Sequence, residues 1–271
     1  MDFFDSNDWL NREPPYAFQW DHLLFVILGL AIGLFLAFFL RGKSKKTIKI
    51  VLISLWAFGT AVVFSYYLIT YIVCISDPTG HPFLIDEMLP FHSCLMFMYV
   101  FPFAMFSKNK IIKTMANNFL VVINMIIGFI TLFVGCPPAG SSALSLEGVQ
   151  SMVIHVIIVI VPFIMLVTNY YDIQKGDLKY GLILFAALSV IMWTFDAIAK
   201  CDYFFFYDGH TFPVFAFISE NVPNFVWTLI VVTCYTLTAI IIHCLIIWIK
   251  QLIAKKKEKQ IEENQVDYYT K

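Results

Sequence analysis

Apolar residues occur in long blocks separated by short polar segments, not at the alternating spacing of an amphipathic helix or strand. Blocks of about 20 apolar residues have the length that an α-helix needs to cross roughly 30 Å of hydrocarbon. The pattern predicts seven spans, at residues 22–40, 48–75, 88–106, 111–135, 148–171, 179–198 and 222–249. The predicted fold class is therefore all-α, a polytopic membrane helix bundle of about seven transmembrane helices.

Composition supports this prediction, since 60% of the 271 residues are hydrophobic and only 14% are charged. We expect one transmembrane domain at 22–249, between an N-terminal tail at 1–21 and a basic C-terminal tail at 250–271. The first 21 residues are acidic, with Arg12 as their single basic residue, and lack the positive region of a cleavable signal peptide. The first block is thus expected to remain as a span.

The distribution of basic residues predicts the orientation. With seven spans, 16 of the 18 Lys and Arg residues fall on one side of the membrane, and only Arg12 and Lys200 fall on the other. Cytoplasmic loops are enriched in Lys and Arg. We therefore expect a multi-pass protein of the cell membrane with its N-terminus outside and its C-terminus in the cytoplasm.

Polar residues within the spans gather at one depth once the orientation is set. Ionisable groups in lipid cost on the order of 2–3 kcal/mol each, so they usually face a cavity or one another. The cytoplasmic half of the spans is expected to be nearly empty of such groups, with His243 as the main exception. The candidates near the outer leaflet are His22, His92, Cys94, Asn124, His155, Asp196 and Glu220.

Four of these residues are candidate catalytic residues, namely His92, Cys94, Asn124 and His155. Imidazole, thiol and amide groups are the ones that acyl-transfer chemistry uses as base, nucleophile and orienting or oxyanion-stabilising donor. The alternative for His92 and His155 is a buried structural hydrogen bond, and for Cys94 it is packing as a small hydrophobic side chain. The two histidines lack charged sequence neighbours, which favours the catalytic interpretation.

Three others, His22, Asp196 and Glu220, are candidate substrate-binding residues. Each has a structural alternative. His22 can act as an interfacial anchor, and Asp196 can pair with Lys200 four residues later. Glu220 can favour the positive end of the seventh span.

The start of the third span has its own geometry. Pro90 suits the first helical turn, where a missing backbone N–H costs nothing. His92 and Cys94 would then lie in the first turn, but two positions apart and hence on different faces. If Cys94 has a base, His155 is therefore the better candidate.

No motif indicates a metal, cofactor or nucleic-acid site. The six cysteines form no C-x-x-C pair, and a glycine-rich phosphate loop and a basic groove are lacking. We thus predict no metal, no cofactor and no nucleic-acid partner, and membrane lipids as the candidate substrates. An exofacial disulfide among Cys74, Cys136 and Cys201 is compatible with their predicted positions at outer span ends.

Three short motifs resemble the YwaF-type family of bacterial integral membrane proteins. They are LPFHSC at 89–94, IHVIIVIVP at 154–162 and FQWDH at 18–22, in the same order along the chain. Distant eukaryotic relatives in the wider superfamily include a transmembrane phospholipid acyltransferase. By position, the resemblance matches its two histidines to His92 and His155, and an asparagine of its fourth span to Asn124.

One residue departs from that pattern. In the acyltransferase branch the third span reads Asn-Pro-Cys-His with the Cys as nucleophile, and the corresponding position here is Phe91. A phenylalanine cannot carry an acyl group. Cys94 lies one helical turn away and about 4.5 Å deeper, so it is the candidate replacement.

Two functions follow from different classes. The first is a lipid acyltransferase or acyl hydrolase at the outer leaflet, with Cys94 or a histidine-activated water as nucleophile and His155 as general base. The second is a solute-binding or proton-coupled transport protein with broken helices at Pro102 and Pro162. A transporter needs polar groups through both halves of the membrane, and the sparse cytoplasmic half therefore favours the enzyme.

Overall fold

The computed structural model describes residues 20–76, 89–135, 145–204, 206 and 213–270, and these residues form helices and turns without strands. In chain order the α-helices are α1 (Trp20–Leu40), α2 (Lys45–Ser76), α3 (Met96–Phe106), α4 (Lys110–Asn118), α5 (Met125–Ile130), α6 (Leu146–Val167), α7 (Leu178–Ala199), α8 (Pro213–Asn221) and α9 (Asn224–Thr270). The helical membrane bundle that the sequence predicts is confirmed.

Six helical segments of the described chain are long and apolar enough to cross a membrane. The third predicted span is shorter than expected, because its helical part covers only Ser93–Phe106. At 1.5 Å per residue this segment reaches about 21 Å, less than the hydrocarbon thickness. The residues before it form a non-helical corner, which places polar side chains inside the bundle.

The fourth and fifth spans form the centre of the bundle. In their apolar windows 67% and 72% of the residues are buried, against 17% to 22% in the other four long spans. The outer helices direct large apolar side chains such as Phe35, Leu68 and Ile191 away from the protein, as lipid contact requires. Polar residues of the two central spans are therefore the ones best shielded from lipid.

The fourth span is not a regular α-helix. Between α4 and α5 the chain forms a π-helix at Phe119–Asn124, and a second π-helical segment follows at Thr131–Gly135. π-helical turns close i→i+5 hydrogen bonds, and thus change the direction in which the following side chains point. All six residues of the first π-helix are buried, and it packs against α3, α6, α7 and α9.

Small residues let neighbouring helices approach α6 closely. A Cβ atom added at Gly33 of α1 would overlap the side chain of Ile160 in α6. The same is true at Gly128 of α5, where the added atom would lie 2.5 Å from Cγ2 of Ile158. Close helix approach at small residues is a common way for membrane helices to associate.

Side-chain hydrogen bonds fix the short third helix. The indole Nε1 of Trp56 in α2 donates to the carbonyl oxygen of Met98 at 3.0 Å, and its ring stacks on Phe101. At the other end, Asn109 caps α4 by accepting from the backbone N–H groups of Ile111 and Ile112. Contacts therefore fix the start of α3 and the connection between α3 and α4.

The seventh span differs from its prediction at both ends. Glu220 does not begin this span, because it lies on the separate helix α8 and its side chain is exposed. The chain then breaks at Val222 and Pro223, as expected before a proline that cannot continue a helix. The helix that follows, α9, runs to Thr270, well beyond the predicted membrane boundary at residue 249.

We expect reporter fusions to give cytoplasmic signals at Lys45 and Lys256 and an external signal at Gly140. The reason is the excess of Lys and Arg on the side of the 41–44 and 107–109 turns. A paired reporter assay, with one enzyme active only outside and one fluorescent only inside, measures each position. An external signal at Lys45 would contradict the proposed orientation and with it the outer-leaflet location of the site.

Candidate functional site

The corner before α3 presents His92 and Cys94 without a regular helix. The N–H group of Phe91 donates to the carbonyl of Leu89 at 2.8 Å, which turns the chain directly around Pro90. His92 has an extended conformation, with φ −52° and ψ 146°, and the 3-10 turn Ser93–Leu95 follows it. The prediction that Pro90 and His92 lie in the first helical turn is wrong, because the helix starts only after them. Cys94 lies within the 3-10 turn that opens the helical segment, and so in its first turn, as predicted.

Asn124 ends the 119–124 π-helix and holds this corner. Its amide Nδ2 lies 3.0 Å from the carbonyl oxygen of Cys94 and 3.5 Å from that of Ser93, and the side chain is fully buried. Both donor hydrogens are thus directed at backbone carbonyls. The amide oxygen, Oδ1, accepts no hydrogen bond from the described residues. Asn124 therefore orients the corner with its donor hydrogens and keeps an acceptor oxygen, and its predicted catalytic role as an orienting or oxyanion-stabilising donor stays a prediction.

His155 lies in α6, nine residues after the helix begins, and is buried. Its ring Nδ1 is 2.7 Å from the carbonyl oxygen of Ser151, one turn earlier. A carbonyl only accepts, so Nδ1 carries the hydrogen, and in the neutral ring Nε2 is the basic nitrogen. The imidazole of His92 is close enough to His155 for the two rings to interact electrostatically.

The thiol of Cys94 has different neighbours. It is half-buried and interacts electrostatically with the phenols of Tyr67 in α2 and Tyr235 in α9. The predicted pairing of Cys94 with His155 stays a prediction.

The position of the missing nucleophile, Phe91, belongs to an aromatic cluster. Its ring centre lies 5.5 Å from that of Phe195 in α7, 6.0 Å from Tyr99 and 5.8 Å from Tyr203. The ring of Tyr203 also lies 5.0 Å from His92, edge to face. Phe91 therefore packs the corner against the end of α7.

The three predicted substrate-binding residues are placed apart from one another. The Nε2 of His22 donates to the carbonyl of Leu132 at 2.8 Å, which ties α1 to the second π-helical segment. Asp196 is buried, and its carboxylate accepts a hydrogen bond from the thiol of Cys201 at 3.4 Å. This partner differs from Lys200, the structural alternative that the sequence offered. Glu220 lies exposed on α8. Their role in substrate binding stays a prediction.

Sequence reasoning missed five residues around the site, which are Tyr67, Ser93, Ser151, Tyr203 and Tyr235. Two of them could have been found from their depth. Tyrosines usually gather at membrane interfaces, whereas Tyr67 and Tyr235 lie inside long apolar spans, which is an unusual position. Neither Cys74 nor Cys201 is in a disulfide, while Cys136 lies outside the described residues. Among the described residues no three His, Cys, Asp or Glu side chains are grouped as metal ligands.

A second group of polar side chains lies toward the opposite end of the bundle, and we call it the inner cluster. It comprises Asn118, Tyr171, Asp177 and His243. The Nδ2 of Asn118 lies 3.4 Å from Nδ1 of His243, and the hydroxyl of Tyr171 donates to Asp177 at 2.8 Å. Burial and the carboxylate of Asp177 raise the pKa of Tyr171, so its hydroxyl stays neutral. Within the spans the cluster adds Asn118 to His243, the exception already predicted, because Tyr171 and Asp177 lie in the connection between α6 and α7.

The helix that carries His243 is also tied to the 168–174 turn. The ammonium of Lys250 forms an ion pair with Asp172 and donates to the carbonyl of Ile173 at 2.8 Å. His243 faces the backbone carbonyl of Lys175. These contacts place the inner cluster at the end of the bundle where the predicted cytoplasmic lysines lie.

Comparison with known proteins gives one finding. The sequence matches the TMEM164 family over residues 17–247. No curated protein and no solved structure matches the chain. The matched region contains the corner at 89–95, the π-helical fourth span, His155 and the inner cluster.

Proposed function

The chain belongs to the TMEM164 family of membrane proteins, and we propose that it is an enzyme that hydrolyses or transfers the acyl esters of membrane lipids. The relationship to YwaF-type proteins and to the phospholipid acyltransferase, suggested by the motifs around His92 and His155, is part of this proposal. So is the location in the cell membrane, with the site near the outer leaflet.

The buried imidazole of His155 carries the proposal, together with His92, with which it interacts electrostatically. The two residues come from separate parts of the chain, and His155 lies in the most buried span of an apolar bundle, where an unneeded ionisable group would be costly. The hydrogen bond from Nδ1 of His155 to the Ser151 carbonyl leaves Nε2 as the base. A histidine whose tautomer is set in this way is suited to take a proton from an attacking hydroxyl group.

We take a hydroxyl group, and not the thiol, as the nucleophile. The electrostatic partners of Cys94 are tyrosines, which are not bases at neutral pH, whereas His155 interacts with His92. In the proposed step, Nε2 of His155 removes the hydroxyl proton of water or of a lipid alcohol while the oxygen of that acceptor bonds to the ester carbonyl carbon. The bond from this carbon to the ester alkoxide then breaks, and the proton passes from His155 to the departing alkoxide. Water as acceptor gives hydrolysis, and a lysolipid alcohol gives acyl transfer.

The test uses purified full-length protein in liposomes that contain a phospholipid with an isotope-labelled acyl chain and an unlabelled lysolipid. Mass spectrometry measures labelled free fatty acid and labelled new phospholipid. We expect one of these two products to accumulate over a control of empty liposomes. If neither product forms, the enzymatic proposal is wrong.

The role of Cys94 is tested in the same assay. We expect Cys94→Ser to keep product formation within about threefold, because the proposed nucleophile is a hydroxyl group, and intact-mass analysis to show no acyl adduct on the wild-type protein. Cys234→Ser, at an exposed position of α9, is the matched control. An acyl adduct that disappears in Cys94→Ser, with a loss of activity, would instead assign Cys94 as nucleophile.

Proton-coupled transport or solute binding is the second candidate, and the inner cluster favours it. Polar side chains now lie in both halves of the bundle, at Asn124 and at Asn118, on either side of the 119–124 π-helix. A pH-sensitive dye inside proteoliposomes would report proton movement under an imposed potential. A flux that Asn118→Leu abolishes, with no lipid product formed, would favour this function over the enzyme.

A further inference from the structure

We propose that Asp196 is a positioning residue, which holds His92 in place through the turn formed by residues 201–204. The inference rests on the proposed function only in that His92 belongs to the proposed site. The contacts that carry it exist whether or not the protein is an enzyme. It also gives Asp196 a different role from the substrate binding that the sequence predicts.

Asp196 is built to hold the turn. It lies near the end of α7 with 1% of its surface exposed. Its carboxylate accepts from the thiol of Cys201 at 3.4 Å and faces the backbone N–H groups of Tyr203 and Phe204. A carboxylate accepts hydrogen bonds only, so these groups are oriented by it, while its second oxygen, Oδ2, accepts no hydrogen bond from the described residues.

The backbone at the end of α7 directs the chain toward this carboxylate. Lys200 has a left-handed conformation, with φ 57°, and ends the helix. The N–H group of Cys201 then donates to the carbonyl of Asp196 at 3.2 Å, as in the usual left-handed helix terminus. Asp196 thus contacts the turn with both its main chain and its side chain.

The 201–204 turn contacts the site through Tyr203, which is fully buried. Its carbonyl accepts from the N–H group of Ser93 at 3.2 Å, directly next to His92. Its ring lies 5.0 Å from the imidazole of His92 at an interplanar angle of 75°. The backbone after His92 and one side of its ring are therefore both set by Tyr203.

This arrangement explains why a carboxylate lies buried in the outer part of α7. A buried carboxylate is costly unless donors compensate for the lost water. Here donors come from the turn, which is also held by the backbone bonds of Cys201 and Tyr203 and by aromatic contacts, such as that of Tyr203 with Phe195 at 6.0 Å. Loss of the carboxylate is expected to release the turn before it affects the helices.

The test follows the His92 ring directly by NMR. The full-length protein, with 13Cε1-labelled histidine, is prepared in lipid nanodiscs, and the His92 signal is assigned with His92→Gln. We expect Asp196→Ala and Tyr203→Ala to move this signal by more than one linewidth and in the same direction. Asp196→Asn, which keeps an oxygen acceptor, should restore most of the wild-type position, and Tyr203→Phe, which keeps the ring, should leave it unmoved.

The His243 signal, from the opposite end of the bundle, is the internal control for folding and should stay unmoved in every variant. Glu220→Gln, at an exposed acidic position on the neighbouring helix, is the matched control for charge. An unmoved His92 signal in Asp196→Ala, beside a moved one in Tyr203→Ala, would overturn the proposal. Because the readout needs no activity, a failed lipid assay leaves this result unaffected.

Discussion

Replacing His155 by glutamine is expected to lower the rate of lipid acyl hydrolysis or transfer by about 100-fold to 10,000-fold, the range that a general base contributes. Glutamine can still donate to the Ser151 carbonyl from its amide nitrogen, so the local hydrogen bond at 2.7 Å has a substitute. It lacks a basic nitrogen at neutral pH. The labelled-lipid assay in liposomes measures the rate, and thermal unfolding of the same preparations measures stability.

The matched control for this substitution is His243→Gln, which changes a second buried imidazole in the inner cluster. We expect this control to retain the rate within a few fold while its unfolding temperature falls. Activity that survives in His155→Gln at more than a third of the wild-type rate would remove His155 from the reaction. Equal losses in both variants would point to a general effect on the fold.

Replacing Gly181 by alanine is expected to destabilise the bundle by about 1–3 kcal/mol, as overpacking of a close-packed core does. The added Cβ would overlap Oδ1 of Asn118 and lie 3.1 Å from its Cγ. Asn118 cannot move freely, because it is fully buried and contacts His243. Thermal unfolding in detergent, followed by tryptophan fluorescence, measures the loss.

Gly176→Ala is the control, since a Cβ atom at this nearby glycine has no other atom within 4 Å. We expect it to leave the unfolding temperature unchanged or slightly higher. The double variant Gly181→Ala with Asn118→Ala should lose less than the sum of the two single variants, because removal of the Asn118 amide makes room for the new methyl group. Additive losses would show that the two residues are not in contact.

The sequence was sufficient to predict the membrane bundle, because a span requires a run of apolar residues and such runs are visible without tertiary contacts. The depth of His155 could be predicted for the same reason, since a helix rises by a constant distance per residue. The corner at His92 could not, because Pro90 is equally compatible with a first helical turn and with the turn before one. The choice between these two turns depends on contacts with Tyr203 and Asn124, which lie far away in the sequence.

The inner cluster was missed for a related reason. Asparagine in a span was treated as informative only at position 124, while Asn118 lies six residues earlier on the same span. Its partner His243 is 125 residues away, and Tyr171 lies in a turn. Nothing in the spacing of apolar residues indicates that these three residues meet, because the packing of helices in lipid depends on details of shape and polar pairing.

The π-helix at Phe119–Asn124 gives the fourth span two rotational registers, one on each side of it. Asn118 faces α9 and α7 in the first register, and Asn124 faces the His92 corner in the second. An α-helix advances by about 100° per residue, so the loss of a single residue from this segment would turn one asparagine by that angle relative to the other. Among homologues, the length of this segment should therefore be invariant even where its apolar residues are exchanged freely, and a chain shortened by one residue here would keep a membrane-spanning helix but only one of its two polar sites.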